Sequence, residues 1–212
     1  SRRLSVTYRG PGGHSWGDFG KPSAVQALAE AIAAIYRIQV PRLPRTTYNV
    51  GVVRGGTSVN AIAETASMLI DLRSEDAAAL QQLEAAVQEA CRRGLPDRIA
   101  VEVEIVGDRP MGQIAEDHPL VRLVLDTGRA FDLPMRCVAS STDANLPLSL
   151  AIPALSVGIK RGGGAHTLRE YLRVDSVVPG FRFGAAVLLG FSRWVEQIAA
   201  APPPGEPDPG HR

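Results

Sequence analysis

Three glycines and a proline in four positions, Gly10-Pro11-Gly12-Gly13, halt any regular element. Glycine readily takes positive φ, and proline fixes φ without donating a hydrogen bond. The seven residues before them alternate, with Leu4, Val6 and Tyr8 on one face and Arg3, Ser5, Thr7 and Arg9 on the other. That is the period of a half-buried strand. Beyond the turn, Pro22 stands where a first helical position belongs, and Val25, Leu28, Ile32 and Ile35 recur at three and four. This helix is expected to end before Pro41, because the residue preceding a proline is pushed out of the helical region. The stretch through Gly20 therefore joins a strand to a helix and can hold His14 away from the packed elements. Taken alone, it is a loop with an exposed histidine.

The elements that follow keep both a period and a punctuation signal. Tyr48–Val53 reads as a second strand, Arg54–Asn60 as an irregular link and Ala66–Leu72 as a third strand. A helix comes next, with Glu75 and Asp76 in its first turn, an apolar stripe of Leu80, Leu83, Val87 and Cys91, and Arg92-Arg93 before Gly94. Those charges suit the helix dipole, and the glycine suits a left-handed C-terminal cap. Ile99–Ile105 alternates as a fourth strand. The order βαββαβ predicts an α+β fold, a ferredoxin-like sheet with two helices on one face.

Asp108-Arg109-Pro110 breaks this pattern, and the remainder reads differently. A helix is predicted from Pro119, with His118 leading into it, and a short strand over Arg136–Ala139. Asp143 caps a short helix after Thr142, Pro153–Ile159 is a strand of the fully buried kind, and an apolar helix runs from Val177 to Ile198. Two short strands make a poor sheet, so this half reads as part of a larger α/β domain. The boundaries expected are 1–108 for the ferredoxin-like domain, 109–200 for the α/β portion, and 201–212 for a proline-rich tail that includes His211.

Composition narrows the partners. A net charge of +1 gives no reason to expect nucleic acid or an anionic membrane surface. No apolar run is expected to approach the ~20 residues that cross a bilayer. Cys91 and Cys137 form neither a disulfide framework nor a CxxC. Together these point to a cytoplasmic setting. The opening residues run straight into a strand pattern with neither an initiator methionine nor a signal peptide, as in a trimmed start.

Several motifs in order carry a resemblance. Gly-Gly-His-Ser lies in the first turn, Gly55-Gly56-Thr57-Ser58-Val59-Asn60-Ala61-Ile62 between the middle strands, and Asp71-Leu72-Arg73 closes the third strand. Thr142-Asp143-Ala144 precedes the buried strand, and Gly162-Gly163-Gly164 leads to His166-Thr167-Leu168-Arg169-Glu170-Tyr171. Over about residues 4–198 the chain resembles the lid (dimerisation) domain and the closing catalytic segment of the M20 metallopeptidases. That family includes peptidases, carboxypeptidases and deacylases.

The resemblance implies that His14 polarises the scissile carbonyl and supports the oxyanion, sometimes in the partner subunit's site. It implies that Asn60 and Arg109 hold a substrate carboxylate, that Gly163 in its loop lets backbone approach substrate, and that His166 is a zinc ligand. Arg73 is a further polar candidate. The residues alone also allow plainer roles: Asn60 bonding its own turn, Arg109 as a rim charge, Gly162–Gly164 as a flexible loop.

The chain departs from the family in its metal ligands. A catalytic zinc needs about three protein ligands, and a two-metal site more. The family takes these from a His-x-Asp segment, a Glu-Glu pair and a further Asp, and the sequence contains neither His-x-Asp nor Glu-Glu. The expectation is therefore a fragment of a zinc-dependent amidohydrolase. The full-length enzyme would hold two zinc ions and use metal-activated water on peptide or N-acyl amino-acid bonds. This chain alone would be inactive, would not retain zinc, and would form a homodimer through the lid. The alternatives are a non-catalytic dimerisation module whose sheets pair edge to edge, and a ferredoxin-like ligand-binding regulatory domain.

Overall fold

Strand β1 (Arg2–Arg9) is the spine of the first half, flanked on one side by β5 (Thr65–Ser74) and on the other by β6 (Ala100–Asp108). Strand β3 (Thr46–Gly55) completes an antiparallel sheet of order β3-β5-β1-β6. Helices α1 (Ala24–Ile35) and α2 (Ala77–Arg92) are the two connections of a ferredoxin-like βαββαβ unit. The computed structural model describes residues 1–200 and divides into two compact units, the first Ser1–Met111 and the second from Gly112 onward. The proline-rich tail expected over 201–212 lies outside the described residues.

Alternation places Leu4, Val6 and Tyr8 of β1 and Ala66, Met68, Ile70 and Leu72 of β5 on one buried face. Leu80, Leu83, Val87 and Cys91 of α2 join them in one core, as their spacing predicts. Helix α1 differs from the expectation. It starts at Ala24 behind an extended Ser23, so Pro22 lies outside it, while its end at Ile35 falls before Pro41 as expected. Its buried stripe is Ala24, Ala27, Leu28, Ala31 and Ile35, while Val25 is exposed. Small alanines let the helix lie close to the sheet, a choice that a count of large apolar residues overlooks. In α2, Asp76 is the N-cap, accepting from Ala79 N at 2.7 Å, and Glu75 precedes the helix and accepts from Arg45 N. Gly94 takes φ +67, the left-handed cap.

The second unit is built on α3 (Pro119–Ala130), α4 (Asn145–Ser149), the hairpin β7–β8 (Gly162–Gly163 with Tyr171–Leu172) and α5 (Val177–Ala200). Helices α3 and α5 meet through Phe131 against Phe183 and His118 against Trp194. His118 is the α3 N-cap, its Nδ1 accepting from Leu120 N at 3.1 Å. Two strand expectations fail here: neither 136–139 nor 153–159 is a strand. A buried strand exists by pairing on its edges, and among the described residues nothing pairs with either segment.

The expectation about apolar length is also corrected. The helical stretch Val174–Ile198 is long and apolar enough to cross a membrane by length and composition, even though Arg182 and Arg193 interrupt it.

Candidate functional site

The chain leaves β1 at Arg9 and is caught at once by the link before β5. Gly10 N donates to Glu64 O at 2.8 Å, and the two-residue strand β2 (Gly13–His14) pairs with β4 (Ala61–Ile62). Ser15 N then donates to Asn60 O at 2.9 Å. The glycine turn and the Gly55–Ile62 link, far apart in sequence, are thus one hydrogen-bonded platform that presents His14 and Asn60 together.

His14 sits on this platform with its ring exposed and half of its polar capacity used. Nδ1 accepts from Trp16 N at 3.2 Å and from Gly17 N at 3.4 Å. In the neutral ring the proton therefore lies on Nε2, and within its own unit no described residue hydrogen-bonds that atom. The result is a fixed donor facing outward. Asn60 is also exposed, with Oδ1 accepting from Ser58 Oγ at 2.7 Å, which leaves its amide hydrogens as donors on the same platform. An open groove of about 650 Å³ runs beside the loop, lined by Ser15, Phe19, Lys21, Gln26, Ile62 and Asp97 among others.

Asp18 is a residue that the sequence reading passed over. Its Oδ2 accepts from His14 N at 2.8 Å and its Oδ1 meets Lys21 Nζ at 2.6 Å. The Lys21 ammonium, and then the His14 N–H, hold this carboxyl below the usual carboxylate range. Its signal in the sequence was the spacing: an acid four residues after the histidine and three before a lysine, inside a glycine-rich loop.

The remaining candidates lie elsewhere. Arg109 follows β6 and exchanges backbone hydrogen bonds with Ser1, both 2.9 Å. It therefore stands at the opposite end of β1 from the His14 loop, about 25 Å away at ~3.3 Å per residue. One copy of the unit does not bring Arg109 and His14 together. Arg73 is engaged with Asp71, Nε to Oδ2 at 2.6 Å. In the second unit, the close approach that the glycine loop permits is to its own hairpin. A Cβ on Gly163 would lie 2.9 Å from the Tyr171 ring, and one on Gly162 would lie 2.4 Å from Tyr171 O.

His166 is exposed on the following turn at φ +64, where its backbone N donates to Glu170 Oε2 at 3.1 Å. Among the described residues no three His, Cys, Asp or Glu side chains converge on a point that could hold a metal ion. With about three protein ligands needed, the donors of this chain do not compose a catalytic zinc centre by themselves.

Comparison with known proteins places the fold. Residues 2–98 match the family described as peptidase dimerisation domain, M20_dimer. The chain is similar to a tripeptidase from Staphylococcus aureus, with TM-score 0.69 and 19% identity over 91% of this chain and 52% of that one. It is similar to AtUAH solved in complex with (S)-hydroxyglycine, with TM-score 0.73 and 20% identity over 91% and 47%. A hydantoinase/carbamoylase family amidase from Burkholderia ambifaria follows with TM-score 0.61 and 24% identity over 89% and 46%. The chain thus spans about half the length of these solved structures. No curated protein matches the sequence.

Proposed function

We propose, from the match of residues 2–98 to the M20 peptidase dimerisation domain, that this chain is the substrate-orienting portion of a zinc-dependent amide hydrolase. Its substrates would be peptides or N-acyl amino acids. The carrying observation is His14, an imidazole whose Nδ1 is occupied by backbone N–H groups and whose Nε2–H faces outward from a rigid platform.

A fixed donor of this kind stabilises charge developing on a carbonyl oxygen without reorganising as it develops. The Asn60 amide beside it suits a carboxylate or carbonyl of the same substrate. M20 membership implies zinc in the full-length enzymes. His166 is the one candidate ligand that this chain contributes, so the further ligands and the base that activates water would come from other residues of the full-length protein. Alone, the 212-residue chain is then inactive. Gly163 acts by holding the hairpin that carries His166.

Arg109 enters this reading through self-association, which a dimerisation domain suggests. Because it stands a strand's length from His14, the two can touch one small substrate only if they come from two copies. A cytoplasmic setting goes with this reading, on the chain's ordinary charge and two unpaired cysteines.

The test is hydrolysis of a panel of dipeptides, tripeptides, N-acetyl and N-carbamoyl amino acids by the zinc-loaded full-length protein. His14→Ala is expected to lower kcat by about 10²–10³-fold, the usual effect of removing one oxyanion donor. Mixed dimers of His14→Ala and Arg109→Ala subunits are expected to recover part of the activity. Undiminished turnover by His14→Ala removes the reading and leaves a dimerisation module without a part in catalysis.

A further inference from the structure

We propose that Asp18 is a positioning residue whose carboxylate closes the His14 loop, so that the ring holds one tautomer, with Nδ1 as acceptor and Nε2 as donor. The inference rests on the reading of His14 as the oxyanion donor and adds the residue that makes it one. Residues 14–18 form a turn shut at both ends: His14 N donates to Asp18 Oδ2 at 2.8 Å, and Asp18 N donates to His14 O at 2.9 Å. Inside that closed turn the N–H groups of Trp16 and Gly17 converge on Nδ1. A proton on Nδ1 would face two donors, which excludes the other tautomer while the turn stays closed.

Two further features serve the carboxylate. Gly13 takes φ +148, and a Cβ there would lie 2.8 Å from Asp18 Oδ2, so glycine is what lets the acid reach the His14 N–H. Lys21 pins the other oxygen, Nζ to Oδ1 at 2.6 Å, and its own N donates to Asp18 O at 3.1 Å. Ser15 N on Asn60 O then fixes the closed turn to the platform. Removing the carboxylate frees His14 N and opens the turn at the end nearest the ring.

The experiment is long-range 1H–15N NMR of the imidazoles in the full 15N-labelled chain, with the His14 signals assigned by their loss in His14→Gln. The expected spectrum shows an unprotonated acceptor Nδ1 and a protonated Nε2. In Asp18→Ala the two tautomers are expected to mix, whereas Asp18→Asn, which retains an acceptor oxygen for His14 N, keeps the wild-type signature. In the full-length enzyme Asp18→Ala is expected to lower kcat about 10–100-fold with KM little changed, as a misplaced donor does. A wild-type ring protonated on Nδ1 overturns the proposal before any variant is made. So does an unchanged His14 signature in a folded Asp18→Ala chain. The NMR measurement contains no substrate, so its failure is separate from failure of the hydrolase reading, which the His14→Ala assay reports.

Discussion

Tyr8 joins a strand to the end of a helix through one hydroxyl. Its side chain is fully buried, and its OH donates to Cys91 O at 2.9 Å. That carbonyl belongs to the last turn of α2, where no intrahelical donor remains. Tyr8→Phe keeps the ring and leaves the carbonyl buried without this partner, a loss of about 1–3 kcal/mol that urea unfolding reads directly. Burial, with the Cys91 contact second, also pushes the Tyr8 hydroxyl well above the ordinary tyrosine value. The neutral form is favoured by folding, so this contribution is whole below about pH 10 and is lost as pH rises beyond it. Unfolding free energies taken from pH 8 to pH 11 should fall more steeply for the wild type than for Tyr8→Phe. Equal slopes would mean that the hydroxyl is not protected. Burial raises the Cys91 thiol in both proteins, and in the wild type the Tyr8 hydroxyl partly offsets that rise.

Between elements, the polar counterpart is Arg2. Its guanidinium reaches Glu84 on α2 and Asp108 at the end of β6, the latter at 3.0 Å. Glu84 is buried, and its other oxygen accepts from Gln88 Nε2 at 3.0 Å. Helix and two strands are thereby latched at one corner. Removing one partner of such a group strands the other, so Glu84→Ala should cost about 2–4 kcal/mol, while the double change Arg2→Met with Glu84→Leu should cost less. A double-mutant cycle by thermal or urea unfolding checks the ordering. The latch was hard to read in the sequence because Glu84 lies one position from Leu83 on a helix that otherwise follows its apolar stripe.

The same contrast runs through the whole chain. The four long strands and α2 were legible because local period and tertiary burial agree there: Leu4, Val6 and Tyr8 alternate and are all buried. His14 and Asn60 were legible as candidates, but the hydrogen bonds that join their two loops are long-range and leave no local pattern. The segments 136–139 and 153–159 have strand composition and no strand to pair with, which no local pattern can disclose. Asp18 looked like one more loop polar residue because its role depends on where backbone N–H groups point.

At the scale of the molecule the two units differ in how much of their apolar surface is covered. Unit 1 encloses its own core, whereas Phe181, Leu188 and Leu189 of α5 are 71%, 65% and 65% exposed. Exposed apolar surface of this kind binds hydrophobic dyes. The fragment 1–111 is expected to unfold cooperatively and to leave ANS dark, while the full chain enhances its fluorescence. A bright fragment would show that the first unit does not close its core alone.

The paired backbone hydrogen bonds between Ser1 and Arg109 have a consequence for engineering. Where the peptide comes in and where it goes out are neighbours across an antiparallel pair, roughly 5 Å apart. A cassette with adjacent termini can be spliced into a surface loop of an unrelated host without stretching that host's backbone. The platform bearing His14, at the far end of the sheet, would then project as the tip of a transplantable arm.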